Sequence, residues 1–328
     1  MIKLRILLLL SGLLFFLISC EGGDQQQFSF EEQGQEVPEF SADSAYQFIG
    51  QQLSYGPRNP NAEGHKLTKE YLLNRLQDYA GQRYVFSQQF TAQGYDGDSL
   101  ALSNIIASFN PQSSDRIFLC AHWDTRPRAD KDSLNQDKPI LGADDGGSGV
   151  GVLLELARIF KDNPPPIGVD IVLFDGEDYG REGDFSKYFL GSRHWSENPP
   201  VKGYSPRFGI LLDMVGGKNA RFPKEGYSMQ FAPGLVEGIW DVAEDKGYSN
   251  LFISEQGNRV SDDHLVINRI LGIPTINIIH YSPSNNGAQF ASYWHTHNDD
   301  MSIISKKTLN GVGEILVELI YNRIEGSN

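Results

Sequence analysis

Four short apolar runs, residues 117–121, 169–174, 210–212 and 275–279, constrain this 328-residue chain more than any other feature. None is long enough for a buried helix, and most are rich in β-branched residues. They read as strands covered on both faces. Helical patterns lie between and after them at 151–160, 235–246 and 309–321. Upstream, Leu67, Tyr71, Leu72, Leu76 and Tyr79 fall at helical spacing, residues 84–90 alternate like a half-buried strand, and 104–109 form another short strand. The alternation predicts an α/β fold: one domain with a mostly parallel mixed central sheet flanked by helices.

Ionisable residues follow these runs directly. The first leads into His122 and Asp124, the second into Asp175, Glu177 and Asp178, and the third into Asp213. Ligands of open α/β sheets bind at the carboxyl ends of strands, so the carboxylates cluster where chemistry is expected. Two other segments join them. Gly142, Ala143, Asp144, Asp145 and Gly146 make a tight loop that opens the helix at 151–160, and Trp294, His295 and Thr296 precede the acidic Asp299 and Asp300. Each piece has an ordinary alternative: paired Asp in a Gly loop suits a turn, Glu177-Asp178 suits a helix N-terminus, Asp213 suits a cap, and His295 suits a surface histidine. The order and strand-end placement of all of them together favour a zinc site with an open coordination position. His65, His264, His280 and His297 read as ordinary surface or hydrogen-bonded histidines.

The N-terminus is separate from the fold. Lys3 and Arg5 precede an apolar stretch, residues 6–18, that ends at Ser19-Cys20. This reads as a lipoprotein signal peptide over residues 1–19, with Cys20 acylated after cleavage; the stretch is too short for a membrane span. Residues 20–40, rich in Gln, Glu and Gly, read as a flexible tether, and 41–328 as the catalytic domain. Cys120 is then without a disulfide partner. The formal charge of −14, with no basic stripe, excludes nucleic acid as a partner. The expected location is a membrane surface facing the periplasm or cell exterior, held by lipid alone.

The ordered set His122-x-Asp124, Asp144-Asp145 in its glycine loop, Glu177-Asp178, Gly191-Ser192-Arg193, Asp213 and His295-Thr296 resembles the bacterial zinc aminopeptidase superfamily over nearly the whole mature chain. It is more similar still to the glutaminyl cyclase branch, through Phe174 to Asp178, the insertion at 179–190, Asp262-Asp263-His264 and Trp294-His295-Thr296. The resemblance implies one Zn²⁺ held by Asp145, Asp178 and His295, and conversion of N-terminal glutamine of peptides or proteins to pyroglutamate. It casts Glu177 as proton shuttle, with Asp213 and Asp262 raising its proton affinity. It makes Trp195, Phe290 and Trp294 the pocket wall. Asp178 stands where the animal enzymes have Glu, and their following Trp has no counterpart, a gap Trp195 is expected to fill. The rival reading is a two-zinc aminopeptidase in which His122 and Asp213 bind a second metal bridged by Asp145. A degenerate, non-catalytic binding lipoprotein is a third reading, and no ligand or base has been lost to favour it.

Overall fold

Buried parallel strands need both faces apolar, and the four runs supply this. In the computed structural model, which describes residue 28 and residues 30–325, side chains of residues 117–121 alternate between two cores. Ile117, Leu119 and Ala121 enter the larger one, whereas Phe118 and Cys120 enter a smaller one on the opposite face. In chain order the elements are α1 (Ala42–Leu53), α2 (Glu63–Ala80), β1 (Val85–Gln93), β2 (Ser99–Phe109), β3 (Arg116–His122), α3 (Gly147–Asp162), β4 (Gly168–Phe174) and α4 (Leu190–Glu197). There follow β5 (Gly209–Asp213), β6 (Phe222–Lys224), α5 (Gly226–Phe231), α6 (Pro233–Asp245), β7 (Phe252–Gln256), α7 (Asp263–Ile270), β8 (Thr275–Ile279) and α8 (Lys306–Glu318). A π turn, Leu319–Arg323, extends α8.

Six strands form one sheet in the order β1-β2-β4-β3-β5-β8. The β4, β3, β5 and β8 strands are mutually parallel, and β2 and β1 complete the sheet antiparallel. The expected mixed, mainly parallel sheet is therefore present. From β3 the chain crosses through α3 to β4 on one side, and later returns to β5 on the other side of β3. That reversal opens a crevice at the carboxyl ends of β3, β4 and β5. Helices α1, α2, α3, α6 and α8 cover the larger core, and α4 and α7 cover the smaller. A separate two-stranded ribbon, β6-β7, was not anticipated.

Within the segment expected as a tether, residues 20–40, the described part from Phe30 onward packs on the fold. Phe30 and Phe40 are buried in the larger core, and the backbone N–H groups of Gln33 and Gln35 donate to the Asn322 carbonyl (2.9 Å) and to Asn322 Oδ1 (2.8 Å). Burying these rings outweighs the cost of ordering the polar residues between them. The signal segment, Cys20 and residues 21–27 lie outside the described residues. Among the described residues, no helix is long and apolar enough to cross a membrane.

Candidate metal centre and active site

The strand ends are tied together before any metal is considered. Past His122, the last residue of β3, the Asp124 carboxylate accepts the backbone N–H of Glu177 (3.0 Å) and of Asp178 (3.3 Å). This clamps the loop after β4 to the loop after β3. Asp299 does the same for the glycine loop, accepting from the N–H of Asp144 (2.8 Å) and Asp145 (3.1 Å). Gly146 has φ of 82°, and a Cβ there would stand 2.7 Å from the Asp124 carbonyl and 2.9 Å from the His122 ring. Only glycine lets this loop deliver Asp145 so close to β3.

Asp145, Asp178 and His295 converge as expected. His295 Nε2 lies 3.6 Å from Asp145 Oδ2 and 3.4 Å from Asp178 Oδ2. Zinc bonds of about 2.0–2.2 Å in tetrahedral geometry separate ligand atoms by roughly 3.4 Å. Asp178 Oδ2 is buried without a hydrogen-bond partner, as an oxygen reserved for a cation would be. These residues fit zinc in number, chemistry and spacing. His295 has a left-handed backbone (φ 56°), and its ring stacks on Trp294 with centroids 3.6 Å apart. Strain of this kind persists where the surroundings fix the conformation.

Two residues the sequence reading missed hold these ligands. Arg126 donates from Nη1 to Asp178 Oδ1 (2.6 Å) and from Nε and Nη2 to the two oxygens of Asp130 (2.9 and 2.6 Å). Asp130 Oδ1 in turn faces His295 Nδ1 at 3.3 Å, which leaves Nε2 directed at the metal position. Burial raises the Asp178 carboxyl, but the Arg126 guanidinium and His295 outweigh it and bring the carboxyl down to about 2. The ligating oxygen of Asp178 is therefore ready for a cation at neutral pH.

Glu177 is 13% exposed at the crevice floor. Burial is the main force holding its carboxyl well above the ordinary range; His122 opposes this, and Asp178, Asp262 and Asp263 reinforce it. Of the two carboxylates expected to do this by repulsion, Asp262 contributes and Asp213 is not among the principal contributors, while desolvation leads. Asp213 is itself pushed up to about 8 by burial, against His122 and helped by Asp262 and Asp145. Asp262 caps α7, accepting from Asp263 N–H (2.6 Å) and Asn277 Nδ2 (2.6 Å), while Asp263 accepts the Ser192 hydroxyl (2.5 Å). His122 Nε2 lies 3.1 Å from Asp145 Oδ1 and 3.4 Å from Asp213 Oδ1, so His122, Asp145 and Asp213 form a second group able to hold a metal.

A cavity of about 490 Å³ opens over these groups. Phe290 and Trp294 line it as expected, their ring centroids 4.5 Å apart. Trp195 does not. It is fully buried beneath the sheet, packed on Phe118, Phe174 and Tyr204, because α4 turns that side chain toward the smaller core. The space assigned to it is walled by Phe185, Tyr188 and Phe189 of the insertion after β4. The histidines read as ordinary are bonded side chains: His65 with Asp175 (2.9 Å), His264 with Glu225 (3.0 Å), His297 with Asp132 (2.8 Å) and His280 with Tyr293 (3.3 Å).

Comparison with known proteins agrees with this site. Residues 104–320 match peptidase family M28. The fold superposes on a Zn-dependent exopeptidase from Parabacteroides distasonis with a TM-score of 0.84 and 45% identity, covering 88% of this chain and 100% of that one. It superposes equally on Bacteroides thetaiotaomicron glutaminyl cyclase, solved with N-acetylhistamine bound, with a TM-score of 0.83 and 46% identity over the same shares. A glutaminyl-peptide cyclotransferase of the snake Boiga irregularis is 26% identical over 295 residues, 79% of this chain and 75% of that protein. With its mixed sheet, its strand-end carboxylates and its His295 completing a zinc-type triad, the chain belongs to peptidase family M28.

Proposed function

We propose that this protein is a zinc-dependent glutaminyl-peptide cyclotransferase, converting N-terminal glutamine of peptides or proteins to pyroglutamate and releasing ammonia. One observation carries the reading. The Asp145–Asp178–His295 triad, with Glu177 beside it, stands in a fold that matches solved bacterial glutaminyl cyclases at 44–46% identity over most of the chain.

Held by Asp145, Asp178 and His295, zinc supplies a Lewis acid for the substrate's side-chain amide carbonyl. The rest is done by the protein. Once the α-ammonium has given one proton to solvent, its lone pair bonds the γ-carbonyl carbon and Glu177 takes a second proton from that nitrogen. It returns that proton to the amide nitrogen as the carbon–nitrogen bond breaks, so the leaving group departs as ammonia and Glu177 is regenerated. A carboxyl held above its ordinary range by burial is suited to both transfers. Arg126 and Asp130 keep Asp178 and His295 in place, and Phe290, Trp294 and Tyr188 exclude water, which favours ring closure over hydrolysis.

The second metal-type group, His122 with Asp145 and Asp213, favours one alternative, a two-zinc aminopeptidase, and the likeness to an exopeptidase is consistent with it. Gln-leading and Leu-leading peptides separate the two. Loss of ammonia from the first without release of leucine from the second supports the cyclase; free leucine overturns it. For the N-terminus, the reading keeps residues 1–19 as a signal peptide and Cys20 as the lipid-bearing residue, with metabolic labelling by radioactive palmitate, lost in Cys20→Ala, as its test.

A further inference from the structure

Beside the catalytic cavity lies a second hollow of about 260 Å³, and the two share Phe185, Phe189 and Ser261 as a common wall. Its floor is apolar, formed by Leu265, Val266 and Ile270; Phe185 (62% exposed) and Ile270 (40% exposed) present large apolar surface to water. Arg193 and Arg269 line this hollow, and Arg259 lines the catalytic cavity next to it. The guanidiniums of Arg259 and Arg269 lie 5.4 and 5.7 Å from the centre of one ring, Tyr227.

These three arginines are unlike the other cations of the site. Arg126 is committed to Asp130 and Asp178, and Lys131 pairs with Glu182. Arg193, Arg259 and Arg269 have neither an ion pair nor a side-chain hydrogen bond among the described residues. In a protein of charge −14, the hollow is lined by two unpaired guanidiniums, Arg193 and Arg269, and by no carboxylate among the described residues, with Arg259 next to it on the same tyrosine ring as Arg269. We infer that this hollow is the continuation of the substrate site and takes the segment behind the N-terminal glutamine, selecting an apolar side chain on the floor followed by carboxylates at Arg193, Arg259 and Arg269. The inference rests on the cyclase reading and adds to it a substrate class: peptides with acidic residues downstream of their glutamine. The shared wall favours a peptide over an anionic lipid surface, because a chain leaving the catalytic cavity on this side enters the hollow directly.

The test compares Gln-Ala-Leu-Glu-Glu amide with Gln-Ala-Leu-Lys-Lys amide on the zinc-loaded enzyme, with Gln-Ala amide as the reference without charged side chains. At low ionic strength the acidic peptide is expected to exceed the basic one about tenfold in kcat/KM, mainly through KM, and high salt shrinks the ratio. In Arg193→Gln/Arg269→Gln the ratio falls to about two, an outcome that a general loss of activity does not produce. Equal turnover of the two peptides, or a ratio unchanged in the variant, overturns the inference. So does loss of binding to phosphatidylglycerol vesicles in the variant with the peptide ratio intact, which makes the surface a membrane contact. Failure to cyclise Gln-Ala amide sinks the cyclase reading instead, and equilibrium binding of the two charged peptides by calorimetry then tests the hollow alone.

Discussion

Replacing Arg126 with glutamine separates assembly of the zinc ligands from the chemistry. The guanidinium is buried and donates to Asp178 Oδ1 at 2.6 Å, so its loss strands a buried carboxylate. Breaking such a pair costs roughly 3–5 kcal/mol in the metal-free protein. The Asp130 half contributes about 1 kcal/mol at most, because that side chain is 29% exposed and water screens it. Zinc binding changes in the same direction. Without Arg126, burial dominates at Asp178 and its carboxyl rises from about 2. His295, which burial lowers but Asp178 and Asp130 hold above its ordinary value, is raised further by an uncompensated Asp130. Zinc requires an ionised carboxylate and a neutral imidazole, so protons compete better at both ligands. Groups that orient ligands are worth about 10–100-fold in metal affinity, or roughly 1.4–2.8 kcal/mol. Competition with a chromogenic chelator from mildly acidic to mildly alkaline pH should show Arg126→Gln binding zinc 10–100-fold more weakly, with the deficit growing as pH falls. Wild-type zinc affinity across that range would refute the reasoning.

Other perturbations have distinct signatures. Glu177→Gln should keep the fold and its zinc but lower kcat by about 10²–10⁴-fold, measured as ammonia release from a glutaminyl peptide; undiminished kcat would remove Glu177 from the proton-transfer role. Buried Glu225 is held down to about 2: burial opposes this, but His264 and the N–H groups of Tyr227 and Val260 prevail. A depressed carboxyl contributes its stability fully above its ordinary value of 4.5 and loses it as pH falls through about 2. The contribution is about 3 kcal/mol. Glu225→Gln should therefore be less stable by that order at neutral pH and lose the wild-type slope in urea unfolding across the acid window; an unchanged slope contradicts the assignment. Trp195→Ala should cost about 3–5 kcal/mol of stability, as for other buried aromatics, while KM for short glutaminyl peptides stays at the wild-type value. A raised KM would return Trp195 to the pocket.

The strand ends were legible in the sequence because doubly covered strands are short apolar runs, and a carboxylate directly after one has little choice but the crevice. His122, Glu177 and Asp213 were found in this way. The support behind them was not legible. Arg126 meets Asp178 across 52 positions, and nothing in a Thr-Arg-Pro-Arg segment distinguishes the guanidinium that turns inward from Arg128 two residues on. Trp195 was misplaced for a related reason, since α4 is only eight residues long and too short to show which side faces the sheet. The aromatic wall from Phe185 to Phe189 sits on an insertion with no periodicity. Phe30 and Phe40, too widely spaced to form a pattern, were hidden in a polar segment that their burial nonetheless fixes.

Anomalous difference maps recorded on either side of the zinc absorption edge bear most directly on the central claim. A single strong peak per chain, bounded by Asp145, Asp178 and His295 with Glu177 adjacent, is the expected result. A second peak of similar height between His122 and Asp213, or no density at the triad, would contradict it.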